Sequence, residues 1–461
     1  MRAHEAGALH AGVGLRGPAW LRPPSDVNAL LTPLWPRTVD RGADGALRVG
    51  GVSVRDIAER FGTPSYVFDE ADFRARCRDF REAFSASDVF YAAKAFCCKA
   101  VIKIIAQEGL NLDVCTGGEL AVALAAGMPP ERIKLHGNNK SVAELSRALD
   151  AGLGWIVVDS FDEIERLTAL ARDRSVRPRA MVRVTVGVEA HTHEYIATAH
   201  EDQKFGFSLA SGAAFAAAER ILTDGVIELA GLHSHIGSQI FDTSGFEVSA
   251  RRALSLQDAI RTQFGVEPPE LDLGGGFGIA YTSQDDPAPP AELAARLTKI
   301  VEQECAVRQL AVPHLSVEPG RALAGPAVFT LYEIGTVKDV DGIRTYVSVD
   351  GGMNDNIRTA LYDASYSATV AGRSTDAPPI LARVVGKHCE AGDVVVKDEF
   401  LPADVQPGDL LAVPGTGAYC RSMASNYNHV PRPPVVAVSD GDARVIIRRE
   451  TEADLLALDV G

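Results

Sequence analysis

The sequence predicts a parallel (β/α)8 barrel, α/β in class, joined to a β-rich domain. Three observations lead there. Between Val89 and Pro319, eight short apolar runs alternate with helical stretches. The runs are mostly apolar rather than strictly alternating, as strands covered on both faces are. The polar residues collect where the runs end, at Lys94, Asp113, His136, Asp159, His235, Gly274 to Gly276 and Glu318. Barrel enzymes assemble their sites at that end of the strands, whereas an open doubly wound sheet concentrates its ligands at one switch point.

Residues 1–45 read as a mobile tail, because the start is Ala/Gly/His-rich, broken by charges and followed by Pro23 and Pro24. ALRVGGVSV (46–54) is β-like, so the segment 46–66 is expected to join the β-rich domain. The barrel is expected over 67–321. Its strand runs are VFYAAK (89–94), LDVCT (112–116), IKLHG (133–137), WIVVDS (155–160), AMVRVTVG (180–187), LAGLHSHIG (229–237), LDLGGG (271–276) and LSVEPG (315–320). Helices lie between them. SVAELSRALDAG (141–152) opens on a Ser cap with Glu144 three residues later and stops at Gly152; SFDEIERLTALAR (160–172) repeats that grammar with Ser160 and Glu163. After Arg321, short β-type runs separated by Gly, Pro and Asp turns predict the β-rich domain over 322–461.

Composition bounds the function. The chain has 461 residues, 46% hydrophobic and 23% charged, which excludes disorder over most of its length. Lys+Arg 46 against Asp+Glu 61 gives a net charge of −15, without the basic footprint of a nucleic-acid binder or of a protein drawn to an anionic membrane. No apolar run approaches the roughly 20 residues of a spanning helix, and the N-terminus lacks the apolar core of a secretory signal. The seven cysteines, Cys77, Cys97, Cys98, Cys115, Cys305, Cys389 and Cys420, are odd in number and contain no CxxC. That fits a reducing cytoplasm better than a disulfide framework or structural zinc.

Several motifs carry chemistry. Lys94 ends an apolar run, where partial desolvation lowers an amine's pKa and favours imine chemistry, although a snorkelling lysine explains the position too. DLGGGFGI (272–279) lets backbone N–H groups converge on an anion, and barrels often hold a phosphate after strands seven and eight; a tight turn is the alternative. VEPGR (317–321) adds an acid and an arginine beside a Gly turn. A phosphate at the glycine loop and a carboxylate facing a protonated heterocyclic nitrogen together describe a pyridoxal phosphate site. HSHIGSQ (233–239) places His235 at a strand end with Ser238 just beyond, and its H-x-H spacing lacks a third motif for zinc. His191, His193 and His200 read as a polar loop. KHCEAGD (387–393) flanks Cys389 with Lys387, His388 and Glu390, so its thiol is a candidate to titrate. RTALYD (358–363) offers Arg358 and Tyr362 at i, i+4. PGTGAY (414–419) ends a β-run with Tyr419.

In this fixed order YAAKA, DVCTGGEL, HGNNK, HSHIGSQ, DLGGGFG, EPGR, CEAGD and GTGAY resemble the diaminopimelate decarboxylase family, pyridoxal-phosphate-dependent decarboxylases with an alanine-racemase-like fold. The resemblance covers about residues 50 to 440. It implies that Lys94 carries pyridoxal 5'-phosphate covalently and that His235 stacks on the ring. Ser238, Gly276, Pro319, Gly320, Arg321 and Tyr419 would contact the cofactor, and Glu318 would face the pyridine nitrogen. Substrate contacts fall to Arg321, Arg358, Tyr362, Glu390 and Tyr419, and the proton donor to Cys389, supplied across a homodimer with shared active sites. No metal is implied. The implied reaction converts meso-2,6-diaminopimelate to L-lysine and CO2. CEAGD has Ala391 where the family pattern has Ser. Decarboxylases of ornithine, arginine or carboxynorspermidine need a different far end of the pocket. Alanine racemase would need two bases rather than the EPGR/CEAGD pair, and retention of both Lys94 and Cys389 argues against a non-catalytic binder.

Overall fold

The computed structural model describes residues 17–187, 203–341 and 343–461. The chain divides into two units. One comprises the N-terminal segment up to Ala75, Ile279–Asp286 and Ala324–Gly461; the other comprises Arg76–Gly278 and Pro287–Leu323.

The second unit is the barrel. Its strands are Asp88–Ala92, Asn111–Val114, Ile133–Leu135, Trp155–Val158, Arg179–Thr185, Glu228–His233, Glu270–Asp272 and His314–Val317, one overlapping each of the eight runs expected from the sequence. Each pairs in parallel with the next. The ring closes where Ser316 of the eighth strand pairs with Asp88 of the first. A short strand, Phe207–Ser208, pairs in parallel with Val184 and Thr185 at the end of the fifth. His191, His193 and His200 lie outside the described residues.

Local chemistry sets the helix boundaries. Ser141 caps Val142–Ala151 with a complete capping box through Glu144, and Gly152 ends it in the left-handed region at φ +72°. Ser160 caps Phe161–Arg174 by accepting from the Glu163 N–H.

The first unit is built on a nine-stranded mixed sheet. Its spine runs Val394–Pro402, Pro379–Val385, Arg344–Val349, Val328–Val340, Ser65–Asp69, Val435–Ser439, Asp442–Ile447; Leu410–Pro414 pairs with Val328–Val340 and with Thr369–Val370. Ser65–Asp69 is buried along its whole length, between an antiparallel neighbour, Val328–Val340, and a parallel one, Val435–Ser439. A three-stranded sheet, Asp40–Arg41, Leu47–Val49 and Val52–Ser53, belongs to the same unit.

Two boundaries differ from the sequence reading. The expected tail is ordered well before residue 45: Thr32–Leu34 form a 3-10 turn, and Leu34 and Trp35 join a core with Leu47, Val67 and Phe329. Burial of an indole outweighs the segment's turn-rich composition. A barrel beginning at residue 67 would also cut Ser65–Asp69, which pairs entirely within the β-rich unit.

Candidate active site

The strand ends of the barrel unit converge on a polar centre. Lys94 sits in a 3-10 turn, Ala93–Ala95, directly after the first strand; its side chain is exposed while both alanines are buried. The buried Tyr91 hydroxyl donates to the Phe96 carbonyl at 2.8 Å and braces that turn. The EPGR turn packs beside it, because a Cβ on Gly320 would come within 3.0 Å of Ala92.

The loops after strands six and seven are laced together. The Gly275 N–H donates to His235 Nδ1 at 3.2 Å, which places the proton of a neutral imidazole on Nε2. Burial, followed by the Lys94 charge, holds the His235 pKa well below its ordinary value. The Ile240 N–H donates to the Gly276 carbonyl and the Gly278 N–H to that of Ile240. A side chain at Gly276, φ +103°, would strike the Gly237 carbonyl, so glycine is required there. The Asp272 carboxylate accepts from the Gly274 N–H at 2.7 Å and anchors the start of the loop. Arg321 is buried and donates to Ser238 Oγ at 2.9 Å.

Glu318 is buried at the end of strand eight. Its Oε2 lies 3.3 Å from His233 Nε2 and its Oε1 2.8 Å from His136 Nε2. The second pair is misaligned, leaving both Glu318 Oε1 and His136 Nε2 buried without a hydrogen bond. Burial raises the Glu318 carboxyl, yet the adjoining His136 and His233 outweigh it and hold the group well below the usual carboxylate range. Asp113 moves the other way, pushed up by burial and by Glu318 against the pull of Lys94. His136, His233 and Glu318 also bring three donor atoms within 4.8 Å of one another. The H-x-H pair of the sequence, His233 and His235, does not form this cluster, since His235 is not among the three.

A glycine loop with no room for side chains, an arginine and a serine at its edge, and a buried carboxylate oxygen lacking a hydrogen bond fit a phosphorylated heterocycle with a protonated ring nitrogen. The sequence profile of the pyridoxal-dependent decarboxylase pyridoxal-binding domain matches residues 70–325. Over 436 residues the chain is 57% identical to a diaminopimelate decarboxylase of Mycobacterium tuberculosis, covering 93% of this chain and 98% of the relative.

The chain belongs to the diaminopimelate decarboxylase family.

A Bacillus subtilis diaminopimelate decarboxylase is 47% identical over 90% of this chain and 95% of its own. The crystal structure of diaminopimelate decarboxylase from M. jannaschii in complex with L-lysine superposes with a TM-score of 0.87 at 31% identity, covering 93% of this chain and 99% of that one. Like other members of the family, this decarboxylase is a pyridoxal-phosphate-dependent carboxy-lyase.

The β-rich unit of the decarboxylase holds the remaining candidates in two places. Arg358 and Tyr362 begin and end the short helix Arg358–Tyr362. The buried Arg358 guanidinium donates to the Tyr281 hydroxyl at 3.0 Å and to that of Tyr366, and lies 6.0 Å from the Tyr419 ring centre. Tyr419 itself has φ +70°, with its carbonyl accepting from the Met423 N–H at 2.9 Å. Cys389 and Glu390 sit exposed on a separate turn. Asp393 organises that turn by accepting from the His388 N–H at 2.8 Å and the Met353 N–H at 2.6 Å. Sequence reasoning flagged Asp113 and His136 only as strand-end polar residues and assigned no role to Lys134, Asp272 or Asp393. The one signal for Lys134 was a charge inside the apolar run IKL.

Proposed function

We propose that this decarboxylase converts meso-2,6-diaminopimelate to L-lysine and CO2, closing lysine biosynthesis. Its whole-length likeness to diaminopimelate decarboxylases carries the substrate assignment.

Pyridoxal phosphate, when bound, supplies the electron sink for the carbon that loses CO2. Lys94 would hold it covalently, His235 would cover its ring, and the cradle of Gly276, Ser238, Pro319, Gly320 and Arg321, together with Tyr419, would hold the rest. Glu318 holds a proton at the ring nitrogen, a task suited to a carboxyl kept ionised in a buried setting. Arg358, oriented by Tyr281, binds the retained carboxylate with Arg321, Tyr362 and Tyr419, and Glu390 takes the distal ammonium. Cys389 delivers the proton that replaces CO2. Its site is shared across a homodimer, with Cys389 entering from the second subunit. Seven free cysteines support a reducing, cytoplasmic setting; no described helix is long and apolar enough to cross a membrane.

The test is kinetic. A site built to bind two amino-acid heads rejects a substrate lacking one carboxylate by about 10⁴-fold or more in kcat/KM. The purified protein is expected to be yellow and to release CO2 from meso-diaminopimelate with that advantage over lysine and ornithine. A preference for ornithine would end the substrate assignment while leaving the cofactor chemistry standing.

A further inference from the structure

Beside Glu318 lies a lysine that the mechanism above does not use. Lys134, the middle residue of strand three, is fully buried in the barrel interior. Its ammonium contacts the Asp272 carboxylate and lies 3.6 Å from Glu318 Oε1, 3.5 Å from Ser316 Oγ and 3.7 Å from the Phe90 ring centre. Replacing a buried ion pair with apolar residues of similar volume is often neutral or stabilising, so stability alone gives little reason for a charge here.

The groups around it supply a reason. Asp113 on strand two, Asp272 on strand seven and Glu318 after strand eight share this interior, and each carboxylate raises the cost of ionising the next. The cations and imidazoles facing them are Lys94 after strand one, His136 after strand three, Arg183 on strand five, and His233 and His235 at the end of strand six. His136 and His233 lower the Glu318 carboxyl while they carry a proton, but burial takes the His136 pKa down to about 3, so at neutral pH that imidazole brings no charge. Lys134 keeps its charge: burial opposes it, but Asp272 and Glu318 outweigh burial and raise its pKa.

We propose that Lys134 is a positioning residue of the cofactor site, a fixed cation that keeps Glu318 a carboxylate able to hold a proton at the ring nitrogen of bound pyridoxal phosphate. The proposal rests on the reading of Glu318 given above.

Lys134→Met keeps the length of the side chain and removes its charge. Pyridoxal phosphate is titrated into cofactor-free protein by absorbance at pH 8 and at pH 6, and each dissociation constant is divided by the wild-type value. Without the cation, Glu318 takes up its own proton as pH falls. With the cation gone, burial that carries the Glu318 carboxyl up to about 7 makes the ratio about tenfold larger at pH 6 than at pH 8. A lysine that only fills space or pairs with Asp272 would give the same ratio at both values, and that result overturns the proposal. Lys134→Met with Asp272→Asn, referred to Asp272→Asn alone, relieves the unpaired aspartate and carries the test if the single variant does not fold. The pH-dependent loss is expected to persist there, and its disappearance would mean that Lys134 serves Asp272 alone. Wild-type protein that binds no pyridoxal phosphate would instead overturn the reading of the site.

Discussion

Glu318 and its imidazole neighbours put the pH behaviour of the site on two side chains. Glu318→Gln retains the shape of the group but cannot balance a cation at the ring nitrogen. Losing such a preorganised electrostatic partner costs about 3 kcal/mol, so turnover is expected to fall by two orders of magnitude or more with folding nearly intact. An unchanged kcat would remove Glu318 from the mechanism. His136 is buried neutral, with its pKa lowered from 6.5 to about 3, so in that interval the unfolded chain binds more protons than the folded one. Its contribution to stability is complete above pH 6.5 and is lost as pH falls towards 3. Glu318, also lowered, adds a loss in the same direction below about 4.5. In cofactor-free protein, His136→Gln is therefore expected to shrink the drop in Tm between pH 7 and pH 5, and an undiminished drop would count against a neutral imidazole. Lys94, His235 and Glu318 were legible because each ends a strand beside a motif. Lys134 and Asp272 were not, because their contact joins the third and seventh strands through the barrel interior and depends on a three-dimensional register that a linear pattern does not encode.

Helices and strands were legible wherever local chemistry decides them. All eight barrel strands overlap the apolar runs and start within one residue of them, and the two Ser-x-x-Glu starts became capped helices. The Ser141 box also reaches outward, since Glu144 Oε1 accepts from the Gly117 N–H at 2.6 Å, at the first residue of the helix Gly117–Ala126. Ser141→Ala is expected to cost about 1 kcal/mol, read as a lower denaturation midpoint at constant m value. A cost near zero would show that Glu144 sustains both helix starts without the hydroxyl. The turn 387–393 was legible as chemistry but not as structure. Its shape depends on Asp393 reaching the backbone of Met353, forty residues earlier in the chain.

For the whole molecule, Lys94 belongs to the barrel unit and Cys389 to the β-rich unit. If a second subunit supplies Cys389, mixing inactive Lys94→Ala protein with inactive Cys389→Ala protein restores part of the activity, because a heterodimer pairs one intact Lys94 with one intact Cys389. Demonstrated subunit exchange with no recovered turnover would refute the shared site. Ser65–Asp69 carries a last consequence, one of timing. A ribosome releases this strand early, yet its two sheet neighbours, Val328–Val340 and Val435–Ser439, emerge only after the entire barrel has been synthesised. Until then a strand that ends buried on both sides has both edges open, a state exposed to aggregation.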